Sequence, residues 1–325
     1  MQPLLEVRDL KVHFPIHTSL FSYNKEYVKA VDGVSFTVQQ GETFGLVGES
    51  GCGKSTIGRT ILRLLEPTSG TIQFAGKNIA ELSPKQMRHK YRDLQMIFQD
   101  PFASLNPRKT VGALIEEPMQ VHKQVDSKAR KLRVAELLEM VGLDSFYANR
   151  YPHEFSGGQR QRINIARAIS LNPKLIVADE AVSALDVSIQ SQIINLLRKL
   201  QLEFGLAYVF ISHNLSVVKH ISDHIGVMYL GHLVETADKK SLFLEPLHPY
   251  TQALISAVPA SKPGQKQEKF ILEGNPPSPI NPPGGCVFHP RCRFSKAVCT
   301  LKEPILKDMG NGHKVACHLY DEVTS

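Results

Sequence analysis

Residues 43–65 read TFGLVGESGCGKSTIGRTILRLL. The apolar run Thr43 to Val47, bounded by turn residues, has the pattern of a strand buried on both faces, and Ile57 to Leu65 that of a helix stopping ahead of Pro67. Between them GESGCGKST, residues 48–56, fits G-x-x-x-x-G-K-[ST]. Glycines in that pattern let the backbone wrap so that successive N–H groups and the helix N-terminus face phosphates, while Lys54 adds positive charge and Ser55 an oxygen for Mg²⁺. A ligand-free glycine turn would need neither the lysine nor the serine after it. Residues Gly48, Glu49, Ser50, Gly51, Cys52, Gly53, Lys54, Ser55 and Thr56 are therefore the expected nucleotide-binding stretch.

Outward from this loop, further apolar runs at Leu175 to Ala178, Ala207 to Ile211 and Ile225 to Leu230 read as buried strands. Ile189, Ile193, Leu196, Leu197, Leu200 and Phe204 form one helical stripe ahead of the Ala207 strand. Alternation of this kind predicts an α/β core with a largely parallel sheet. Residues 101–172 carry little strand signal, and Val134, Leu137, Leu138 and Val141 form a helical face closed by Gly142, so a helical subdomain is expected there. LIVADE, residues 175–180, ends an apolar strand in two carboxylates, where ligands of open α/β sheets bind. Asp179 suits Mg²⁺ and Glu180 the polarisation of a water. A helix cap is the plainer reading of the pair when it is taken without the phosphate loop.

Composition sets outer limits. The chain has 325 residues, 42% hydrophobic and 21% charged, which fits a globular protein and excludes collagen and disorder. No apolar run approaches the roughly 20 residues of a membrane span, and no signal-peptide pattern opens the sequence. The formal charge of +7 suits an anionic ligand, nucleic acid or an anionic surface without choosing among them. Ten of the 20 prolines fall between Pro246 and Pro290, which forbids long helices and marks residues 246–325 as an extension to a core spanning 1–245.

FSGGQRQR, residues 155–162, resembles the signature motif of ATP-binding cassette (ABC) proteins, and the remaining motifs follow in that family's order. Gln99 in MIFQDP resembles the Q-loop residue, SALD at 183–186 the D-loop, and His213 in FISHN the H-loop. The resemblance implies a P-loop ABC ATPase fold with ATP and Mg²⁺ as cofactors. It also implies that Lys54 contacts the β and γ phosphates, that Ser55, Gln99 and Asp179 serve Mg²⁺, that Glu180 is the general base and that His213 senses the γ-phosphate. Ser156, Gly157, Gly158 and Gln159, with Asp186, would contact ATP held by a facing cassette, so a second cassette is required. Phe14, Tyr23 and Tyr27 are candidates to stack on adenine. Phe155, Ala181 and Asn214 stand where leucine, proline and aspartate are usual, and none removes a charge or donor assigned to ATP.

Segments such as QMIFQDPFASLNPRKTVG at 95–112, LHPYTQAL at 247–254 and LEGNPPSPINPPGGCVFHPRC at 272–292 resemble ATPases of oligopeptide and dipeptide importers, closest to the F-type subunit. That implies a peripheral protein on the cytoplasmic face of a prokaryotic plasma membrane. Its partners would be a D-type cassette, two transmembrane permeases and, indirectly, a solute-binding protein. Nickel chelates, opines and other small solutes are alternative cargoes. Arg108 and Lys109 lie where a permease would dock. The rival from another class is a soluble ABC ATPase acting on nucleic acid or ribosomes. No basic block with interleaved aromatics supports it, so no nucleic acid is expected.

Cys286, Cys292, Cys299 and Cys317 supply four thiols in a chain without an export signal. Their number suits tetrahedral Zn²⁺ or an iron–sulfur cluster, and unligated thiols are the plainer reading. The family resemblance implies a [4Fe-4S] cluster. Cys52, inside the phosphate loop, is expected to block ATP when alkylated.

Overall fold

The computed structural model describes residues 2–16, 26–123, 126–258, 272 and 274–321; Tyr23 lies outside them. Contacts divide the chain into two units, one of residues 1–3, 38–43 and 81–212, the other of 4–37, 44–80 and 213–325.

In the first unit three parallel strands run side by side, Leu94–Ile97, Leu175–Asp179 and Ala207–Ser212, with Leu175 opposite both Leu94 and Ala207. Every residue of the second and third strands is buried, the property their unbroken apolar runs require. Helix Val187–Phe204 buries Ile193, Leu196, Leu197 and Leu200 of the expected stripe and ends where Gly205 turns left-handed at φ 62°. Residues 101–172 hold helices Val111–Val121, Ser127–Met140 and Gly157–Ile169, with Asp126 capping the second and Ser156 the third through their side-chain oxygens. Val134, Leu137, Leu138 and Val141 are buried together, as their spacing predicts.

The second unit holds a four-stranded sheet in the order Glu26–Val38, Leu5–Ile16, Ser69–Phe74 and Lys77–Asn78. It also pairs Thr43–Val47 in parallel with His224–Tyr229, which then pairs antiparallel with His232–Asp238. The extension completes this edge: Lys314–Val315 bonds to Glu235 and Thr236, and Lys307–Asp308 bonds to Lys314–Val315. Helix Lys54–Ile61 is shorter than the run to Leu65 suggested. Arg63 takes a positive φ of 54°, which a continuing helix cannot accommodate. Among the described residues no helix is long and apolar enough to cross a membrane.

Candidate functional site

The loop at 48–53 joins strand Thr43–Val47 to helix Lys54–Ile61 with glycine where nothing else fits. At Gly53, φ is 105° and an added Cβ would lie 2.0 Å from the Ala30 carbonyl oxygen; at Gly48, φ is 154° and the Cβ would meet Met228 O at 2.2 Å. The Lys54 side chain is nearly covered, and its Nζ donates to the carbonyls of Gly48 and Glu49, 2.8 Å each. Ser55 and Thr56 are half-buried in the helix's first turn, and Ser50 and Gly51 are exposed at the loop's crest. Cys52 points inward, 5% exposed, its thiol pushed up by burial against the opposing pull of Lys54. The sulfur is packed behind the loop, so alkylation there would displace the loop's inner wall.

Glu49 is held from three sides within the same unit. Its N–H donates to Tyr250 Oη at 2.9 Å, its carbonyl accepts from Lys54, and its carboxylate accepts both Arg291 nitrogens at 2.8 and 3.1 Å. Arg291 also reaches Tyr229 Oη at 3.5 Å. Burial opposes its charge, and the hydrogen bonds to Glu49 and Tyr229 more than offset this, keeping the guanidinium above its usual range. Behind these groups Phe288 packs on Tyr229, Tyr250 and His248, with ring centroids 5.1, 5.4 and 5.5 Å away. His213, in the same unit, is exposed just after the Ala207 strand, and Asn214 caps the helix that follows by accepting from Ser216 and Val217 N–H. Phe14 on strand Leu5–Ile16 and Tyr27 on strand Glu26–Val38 are each partly exposed.

In the first unit Asp179 is 2% exposed at the end of its strand, and Glu180 follows it half-buried. Glu180 carries a positive φ of 47°, unusual for a side-chain-bearing residue, and such strain clusters where a group must be aimed. Its N–H donates to Ile211 O, its carbonyl accepts from Ser183 N and Oγ, and Gln99 Nε2 donates to its carboxylate at 2.8 Å. Gln99 and Glu180 were read separately from sequence; the fold brings them into contact. Ser156 opens helix Gly157–Ile169 in a capping box with Gln159, leaving Gly157 and Gly158 as its first residues. Asp186, exposed, begins helix Val187–Phe204 without a side-chain cap bond. In the 100–110 loop, Arg167 donates to Ser104 O at 2.6 Å, Lys109 already pairs with Glu117 at 2.7 Å, and Arg108 is exposed.

The four cysteines of the extension are all unbridged. Burial pushes Cys286 up to about 11, Cys317 up to about 12 and Cys292 in the same direction, and charge on Cys299 would raise all three further. Among the described residues no group of three or more His, Cys, Asp or Glu side chains is arranged to hold a metal ion. A cluster needs thiolates converging on one point, so the iron–sulfur or zinc expectation finds no support in these positions. The donors expected at Mg²⁺, a hydroxyl, an amide and a carboxylate, are hard oxygens of the kind that cation takes.

A strand–glycine loop–helix with a lysine at its mouth, a strand ending Asp-Glu, and a capped Ser-Gly-Gly helix define an ABC-type P-loop ATPase. A family model described as ABC transporter matches residues 31–183, and one described as oligopeptide/dipeptide transporter, C-terminal region, matches 234–299. The chain is 57% identical over 322 residues to the oligopeptide transport ATP-binding protein AppF of Bacillus subtilis, covering 98% of each. It is 48% identical to the dipeptide transport ATP-binding protein DppF of Escherichia coli, covering 99% of this chain and 96% of that one. Its fold is similar to that of the ATP-binding cassette MJ0796, solved as a post-hydrolysis dimer with ADP and Pi, with a TM-score of 0.64, 27% identity, and coverage of 72% of this chain and 98% of that one. The chain belongs to the ABC transporter ATP-binding proteins of the oligopeptide/dipeptide importer family, and it is an ATPase.

Proposed function

We propose that this chain is an F-type subunit that hydrolyses ATP to drive import of oligopeptides or dipeptides, lying peripherally on the cytoplasmic face of the membrane. It pairs with a D-type cassette beneath two permeases served by a solute-binding protein. The cargo is supported by the relatives named for oligopeptide and dipeptide transport and by the match to the transporter C-terminal region. Residues 1–245 form the ATPase domain, with its helical subdomain at about 101–172, and 246–325 the transporter-type extension.

The observation that carries the hydrolytic reading is Glu180, a half-buried carboxylate on a strained turn, fixed by backbone bonds and by the Gln99 amide. Glu180 takes the proton of the attacking water. Lys54 and the loop N–H groups orient the β and γ phosphates, and His213 holds the γ-phosphate. Ser55 in the one unit, and Gln99 and Asp179 in the other, are the residues that would serve Mg²⁺, which would draw charge from the phosphate oxygens. The helix headed by Ser156, Gly157, Gly158 and Gln159, with Asp186, serves the partner cassette's nucleotide. Arg108 in the 100–110 loop meets a permease; Lys109, engaged with Glu117, adds less. A metal on the four extension cysteines is a separate, finer proposal that rests on their number alone, and iron and zinc analysis of anaerobically purified chain tests it.

Tagged Glu180→Gln chain, captured with MgATP from gently solubilised cells, tests the whole reading. Recovery of a second cassette with two polytopic permeases supports it. Ribosomes or DNA-bound proteins without permeases overturn it in favour of the soluble ATPase.

A further inference from the structure

The phosphate loop contains one acid, Glu49, beside the lysine meant for phosphate. A carboxylate there repels the triphosphate unless something neutralises it and aims it away. The structure supplies that group from the far end of the sequence. Arg291 ends the short turn His289–Arg291 of the extension, and its side chain is 6% exposed, against 27% for Glu49. The fork of two hydrogen bonds fixes the direction of the carboxylate as well as its charge. The turn is itself seated by Phe288 among Tyr229, Tyr250 and His248, so the arginine has little freedom to leave.

We infer that Arg291 is a positioning residue for nucleotide binding: the extension sets the affinity of the phosphate loop by neutralising and orienting Glu49. The inference rests on reading residues 48–56 as the triphosphate loop. Its consequence is specific. Without Arg291 the carboxylate becomes an uncompensated negative charge at the site, and within about 10 Å at an effective dielectric of about 20 such a charge changes affinity by a factor on the order of ten. Removing the carboxylate as well removes the repulsion. A purely structural arginine has no such remedy, because deleting its partner would only loosen the loop further.

The test measures binding of a fluorescent ATP analogue with Mg²⁺ to the full-length chain at low and high salt, with urea midpoints recorded alongside. Arg291→Ala raises the Kd about tenfold, and the deficit shrinks at high salt as the charge is screened. Arg291→Lys falls between the two, since an ammonium keeps the charge without the fork. Glu49→Gln combined with Arg291→Ala returns the Kd to within about threefold of the parent. Binding by Arg291→Ala within twofold of the parent overturns the inference, as does a double variant as weak as the single one. Should Arg291→Ala fail to fold, Arg291→Lys with and without Glu49→Gln makes the same comparison. A parent chain that binds no nucleotide removes the reading of the loop instead, which keeps the two failures distinct.

Discussion

Lowering the pH from 7 to 4 titrates His248 in the unfolded chain before it does so in the native one. His248 is 1% exposed; its Nδ1 accepts from Tyr250 N–H, and its ring lies against Phe288. Burial brings it down from an ordinary 6.5 to about 4, against the weaker opposing pull of Glu235, whose carboxylate accepts the N–H groups of Leu247 and His248 and faces His313. Above 6.5 the ring is neutral in both states and contributes nothing. Between 6.5 and 4 the unfolded chain binds a proton that the native chain refuses, so stability falls with pH, and below 4 the loss is complete. At about 1.4 kcal/mol per pH unit the gap amounts to about 3 kcal/mol. The assay is urea unfolding at pH 7, 6, 5 and 4 of the parent and of His248→Asn, which keeps an acceptor for Tyr250 N–H. Other titrating groups act on both proteins alike, so the parent should lose about 3 kcal/mol more than the variant over this range. Parallel losses, within about 1 kcal/mol, would refute the argument that burial holds this ring neutral.

Phe288→Ala should cost about 3–5 kcal/mol by urea unfolding, because a 1% exposed ring contacting three aromatic neighbours leaves a cavity. Gly158→Ala places a Cβ 2.7 Å from Ile189 Cγ2, so helix Gly157–Ile169 must shift on its neighbour; it should lower ATP turnover of the assembled transporter at least tenfold while costing about 1–3 kcal/mol of stability, and unchanged turnover would remove the role given to that glycine. Iodoacetamide at pH 7 should leave Cys52 unmodified in the native chain and label it only once urea has unfolded the chain, as peptide mass mapping would show.

What was legible in the sequence was local. Thr43–Val47 and Leu175–Asp179 are continuous apolar runs because both faces are covered, and the Lys54 loop and the Asp179–Glu180 turn follow directly from their ends. Leu5–Ile16 and Glu26–Val38 were not picked out: one alternates buried with exposed residues irregularly, the other is mostly covered only toward its end. The grip on Glu49 was invisible for a different reason. Tyr250 and Arg291 stand 201 and 242 residues away, and no periodicity links positions that meet only after folding. Proline content singles out residues 246–290 but says nothing of Phe288, whose ring lies against Tyr229, Tyr250 and His248. Nor does the sequence show that Cys52 lies on the inner wall of the loop, within the core.

The distance in sequence between Glu49 and Arg291 also sets an order in time. A ribosome adding about 5–20 residues per second completes the glycine loop on the order of 10–50 s before it makes the arginine. Through that interval the nascent chain carries the loop and its lysine without the guanidinium that Glu49 meets in the finished molecule. A message broken between the codons for His213 and Arg291, or a protease removing the tail from ahead of Arg291, therefore yields a chain with every ATPase motif intact and the Glu49 clasp missing.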